Sequence, residues 1–149
     1  MQKLLSAIRT FIQNDTNMQM FMGINGPFEW MPQGDPVVAL PYMTVQHIGG
    51  TPLWQGFTTA YVARPRIRFT LWDRDSERVK TNAEYFCTKM DTGTLTLMNG
   101  TASSTTESCR LPIRIEEPRL LPARVSDNGI RVFGCIAEYR FNVQRTRGQ

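Results

Sequence analysis

Two stretches with a period-two apolar phase constrain this chain more than anything else in it. In residues 62–72 (VARPRIRFTLW), Ala63, Pro65, Ile67, Phe69 and Leu71 share one phase, and Arg64, Arg66, Arg68, Thr70 and Trp72 share the other. In residues 130–143, Phe133, Cys135, Ala137, Tyr139, Phe141 and Val143 share one phase. Successive side chains of a strand point to opposite faces, so each stretch reads as a strand with one apolar face. Pro65 cannot donate a ladder hydrogen bond, which predicts a place near the strand start or on a sheet edge.

The remaining elements follow from the same rules. Residues 3–13 carry Leu4, Leu5, Ile8, Phe11 and Ile12 at three- and four-residue steps, the stripe of an amphipathic helix. Asp15 or Thr16 can cap a second short turn through Met18, Met20 and Phe21. Residues 22–41 hold Gly23, Gly26, Pro27, Pro32, Gly34, Pro36 and Pro41 and read as irregular. Residues 42–48 (YMTVQHI) read as a strand, followed by a loop over 49–60. Residues 76–90 predict a second helix, capped by Asp75 or Ser76, with Val79, Ala83, Phe86, Cys87 and Met90 facing inward. The 91–107 segment reads as a long loop in which a short TLTLM run meets a turn at Asn99 and Gly100, and the polar 101–107 reads as loop or weak edge strand. In 108–115, Cys109, Leu111, Ile113 and Ile115 are expected inside, with Arg110 and Arg114 outside. Residues 127–129 read as a turn, and the basic tail 145–149 as loose.

Helix, strand, strand, helix and then strands in succession predict one α+β domain over 1–149. Its mostly antiparallel sheet has about four to five strands, and both helices pack on one face. The 149 residues suffice for a sizeable core.

Composition narrows the class of function. No apolar run approaches the roughly 18 residues of a membrane span, and the first residues, MQKLLSAIRTFIQ, lack the continuous apolar core of a signal peptide. The expectation is a protein that stays inside the cell that makes it and has no membrane partner. Three cysteines (Cys87, Cys109, Cys135) without metal spacing read as buried small hydrophobes. The net charge of +4 permits contact with nucleic acid without requiring it.

Catalytic chemistry finds little to use. His47 is the single histidine, so a Ser-His-Asp or Cys-His site would have to be built on it. It shares strand phase with Met43 and Val45 and reads as a packed or partly exposed strand residue. Gly49 and Gly50 lack phosphate-loop spacing. Glu116 and Glu117 are adjacent, and on a strand they point to opposite faces. The expectation is a chain that is not an enzyme and has no catalytic residue, metal or cofactor.

The run PYMTVQHIGGTPLW, followed by ARPRIRFTLWDRDSERVKTNAEYF, resembles the tail-completion and tail-terminator family of tailed phages. The features that carry the likeness are Pro41, Tyr42 and Thr44, then Gly49, Gly50, Thr51 and Pro52, then Arg66 to Trp72, the helix from about Ser76, and the strand 130–143. The ordered whole is specific, each motif alone is weak, and the 91–107 segment is longer and richer in Thr and Ser than the family pattern. The resemblance implies a homo-oligomeric ring, commonly a hexamer, at the head-proximal end of the tail tube. Such a ring ends tube growth and offers the head–tail joining surface. Its implied partners are its own copies, the tail tube protein and the connector or neck protein; its place is the virion, after assembly in the host cytoplasm. A neck or head-completion protein on the same fold and a basic nucleic-acid-binding module stay open as alternatives.

A ring needs dissimilar patches on each subunit. With the helices on one sheet face, the other face and the long loops remain for partners. Trp54, Phe57 and Trp72 are the aromatic candidates, unless they fold back onto their own domain. Arg64, Arg66 and Arg68 share a strand face. They can contact genomic DNA transiently, pair with a neighbouring subunit through Asp73, Asp75, Glu116 or Glu117, or be paired within the subunit.

Overall fold

The computed structural model describes residues 2–24, 26–29, 40–54, 60–92, 106–109, 112–125 and 129–146. In chain order these form α1 (Gln2–Gln13), a short 3-10 turn (Met18–Met20), β1 (Tyr42–Trp54), β2 (Ala60–Asp73) and α2 (Ser76–Thr92). They continue as β3 (Thr106–Cys109), β4 (Ile113–Arg114), β5 (Arg119–Leu120), β6 (Arg124–Val125), β7 (Arg131–Arg140) and β8 (Val143–Thr146). All strand pairings are antiparallel. Five of these strands have four residues or more, and β4, β5 and β6 are two-residue pairings along β7. The fold is α+β, with both helices on one face.

β2 is the spine of the sheet. It pairs with β1 along one side and with β7 and β8, placed end to end, along the other. Pro65 therefore lies inside a central strand, not at a start or an edge. The physical reason is local. The Pro65 carbonyl accepts from Phe141 N–H at 3.0 Å, so the missing Pro65 donor faces the junction where β7 ends and β8 begins. The ladder is interrupted there already, and an absent N–H costs little.

One cluster joins the helices to the sheet. Leu4, Ile8 and Ile12 of α1 and Val79, Ala83, Phe86, Cys87 and Met90 of α2 pack on Ile67, Phe69, Leu71, Tyr139 and Phe141. Phe69 and Phe86 lie 4.7 Å apart, and both meet Tyr139 edge-on at about 6 Å. The inward phases of β2, β7 and α2 are those the sequence predicts. The cap position of the short turn is Asn17, not Asp15 or Thr16; Asp15 accepts from Asn17 N–H and Met18 N–H just before it and also receives the Tyr85 hydroxyl of α2 at 3.0 Å. Asp75 accepts from Glu77 N–H and Arg78 N–H and starts α2.

Several expectations are corrected. The 49–60 loop is mostly strand, because β1 runs on to Trp54 and β2 begins at Ala60. A register shift between His47 and Gly49 marks a bulge, and Gly49 takes the φ of +132° that glycine tolerates. The 91–107 loop is bounded by α2 running to Thr92 and by β3 from Thr106; residues 93–105 lie outside the described residues. The 145–149 tail begins as strand, since β8 holds Arg145 and Thr146. The 108–115 run is not one strand with its isoleucines inside. Ile113 pairs with Arg140 on the helix-free face, while Arg114 pairs with Tyr139 on the helix face. Ile113 and Ile115 are consequently exposed, and Arg114 turns toward Asp91 of α2.

Candidate functional site: an arginine-bearing sheet face

The helix-free face of the sheet divides into a closed end and an open end. At the closed end Tyr42, Trp72 and Val132 form a second cluster, backed by Phe28, Leu40 and Leu121. Trp72 is only 7% exposed. It pairs across the ladder with Gly134, where a Cβ would come within 2.8 Å of its ring. The Arg124 guanidinium stands 5.4 Å above the ring. Trp72 therefore folds back onto its own domain and is withdrawn as an exposed interface aromatic. Its phase was right, but the chain supplies its own cover for that end of the face.

The open end carries the arginines. Arg68 pairs with Glu138 across the ladder, Arg66 with Arg140, and Arg119 of β5 with Ile136, so all of these side chains share one face with Arg64. Glu138 lies at the centre with its side chain 8% exposed. Arg66 Nη2 donates to its Oε2 at 2.9 Å, and Arg68 Nε and Nη2 donate to its Oε1 at 3.0 and 2.8 Å. Burial pushes the Glu138 carboxyl up, but the hydrogen bonds and charges of Arg68 and Arg66 outweigh it and hold the group below the usual carboxylate range. Arg64, Arg119 and Arg140 are exposed and enter no ion pair among the described residues. On β1, β2, β5 and β7, Glu138 is the one carboxylate with this facing. Five arginines and one glutamate leave the patch strongly positive. Ile113 (46% exposed) and Ile115 (37%) border it along β7.

The candidate acids are distributed differently from the expectation. Asp73 is buried and receives Arg78 Nε at 2.8 Å and Nη2 at 2.9 Å, which ties the end of β2 to α2. Asp75 is used as the cap of α2. Both are therefore occupied within the chain and are withdrawn as acids for a neighbour. Glu117 stands 3.6 Å from Arg114, whose other partner is Asp91 at 3.3 Å. Glu116 is exposed. Trp54 ends β1 with its side chain outside the described residues, and Phe57 lies outside them altogether. The acid that holds Arg66 and Arg68 is Glu138, which sequence reasoning passed over. It is the single acid of the 130–143 run and sits in its polar phase; only the pairing of β7 with β2 shows what it faces.

His47 is exposed although it pairs with Ile67 in the core phase. Cys87 and Cys135 are buried free thiols, and burial pushes both up, Cys135 to about 11. The side chain of Cys109 lies outside the described residues. Among the described residues no three His, Cys, Asp or Glu side chains converge as a metal ion would require. No protein-family model matches the chain, and no curated protein matches it.

Proposed function

We propose that this chain is a structural subunit of a tailed-phage virion. It forms a ring at the head-proximal end of the tail tube, ends tube growth and offers the surface that joins the head. The family resemblance supplies the role. The observation that carries it is the open end of the sheet face, where exposed Arg64, Arg119 and Arg140 stand together with exposed Ile113 and Ile115 on the side away from the helices. Arginine beside apolar side chains is the composition of protein interfaces. Ring copies, the tube protein and the connector are the partners in this reading, and its chemistry is assembly rather than catalysis.

Imaging of particles that lack the protein tests the role. Overlong tails indicate a terminator, and finished tails unattached to heads indicate a joining or neck protein. Normal tails joined to heads refute both. The positive face also favours a second reading, a basic nucleic-acid-binding module. A duplex DNA fragment retarded by the purified protein at low salt, with retardation lost as salt rises, supports that one.

A further inference from the structure

We infer that the arginine face of one copy docks on an acidic groove beside α2 of the next copy, a head-to-tail contact between identical chains. The inference rests on the ring reading and names its contact. The groove lies between α2 and the β4–β5 edge, with a volume of about 540 Å³. Glu84, Asp91 and Glu117 line it with Lys80 and Arg114, and Arg114 already pairs with Asp91 and Glu117, so Glu84 is the acid the groove leaves free. An adjoining shallow groove adds Glu116 beside Ile113 and Ile115. Exposed Glu84 and Glu116 have no ion-pair partner among the described residues.

The two patches are complementary in charge. On one side stand Arg64, Arg119 and Arg140 and on the other Glu84 and Glu116, none of them in an ion pair among the described residues. The arginine face and the α2 groove lie on opposite sides of the sheet, with Glu116 at the β4 edge between them beside Ile113 and Ile115. Neighbouring β4 residues make this explicit, since Ile113 belongs to the arginine face and Arg114 to the groove. One copy cannot bring its own patches together, and complementary patches that differ meet in a heterologous contact, which propagates to a ring or a fibre. The exposed isoleucines favour a protein over nucleic acid, because a phosphate backbone offers nothing apolar for Ile113 and Ile115 to cover. Arg66 and Arg68, already held by Glu138, shape the face rather than supply its free charge.

The test uses two charge-reversed full-length chains. One carries Arg64→Glu and Arg140→Glu; the other carries Glu84→Arg and Glu116→Arg. These are exposed positions, and circular dichroism and melting verify that both chains fold. Sedimentation of the unmodified chain over a concentration series should show self-association. Each reversed chain alone should associate at least about tenfold more weakly, and an equimolar mixture should recover association. Reversed chains that associate as the unmodified chain does, a mixture that recovers nothing, or an unmodified chain that is monomeric at every concentration overturns the contact. So does an arginine-reversed chain that associates normally but no longer retards duplex DNA, which would make the face a phosphate-binding surface. None of these outcomes bears on tail length or head joining in particles lacking the protein, so the contact and the role can fail separately.

Discussion

Glu138→Gln isolates the central charge of the arginine face with almost no change of shape. The carboxylate accepts three hydrogen bonds from two guanidinium groups. A glutamine keeps one acceptor oxygen and turns an NH2 toward the other arginine, so one arginine loses its partner. Charge-assisted hydrogen bonds contribute roughly 1.5–3 kcal/mol each. Here the arginine side chains are 46% and 35% exposed, so water replaces much of what is lost. Allowing for that screening, the expected loss is about 1–2 kcal/mol at neutral pH. For a chain of this size that lowers Tm by roughly 2–8 °C. The pH dependence follows from the direction of the shift. The folded carboxyl is held below its unfolded value, so its stabilisation is fully present above the ordinary glutamate value of roughly 4.3. It is lost as pH falls through the lower folded value. Urea unfolding of both chains at pH 7 and at successively lower pH should show a gap that closes in acid. Equal stabilities at pH 7, or a gap of undiminished size in acid, would refute the argument.

Three further outcomes are expected. Phe86→Ala removes a fully buried ring from the Phe69, Phe86 and Tyr139 group and should cost about 3–5 kcal/mol in urea unfolding. Gly134→Ala drives a methyl into the Trp72 ring and should cost about 1–3 kcal/mol, with a change in tryptophan fluorescence that Ala137→Gly does not reproduce. Cys87 and Cys135 should resist a thiol reagent at pH 8 in the folded protein and react fully in urea, since burial both hides them and keeps the thiols protonated.

The sequence by itself determined most of the core beneath the helices. The phases of 62–72 and 130–143 and the stripe of α2 select Ile67, Phe69, Leu71, Cys135, Ala137, Tyr139, Phe86 and Met90, and all of them are buried. Alternation and helical spacing are local properties, so they are legible before any pairing is known. The sequence also placed Arg64, Arg66 and Arg68 on one face. What that face does was decided by pairing across distant parts of the chain. Register set Glu138 opposite Arg68 and made an internal clamp of two arginines, and it laid Gly134 under Trp72, closing that end of the sheet. It put Ile113 on the face opposite to the one its alternation suggested, because β4 is only two residues long and takes its phase from β7. It also let a central strand carry Pro65, since the missing donor falls at the break between β7 and β8. A strand's pattern states which residues share a face. Which face is covered, and by what, depends on partners 70 residues away, such as Arg68 and Glu138.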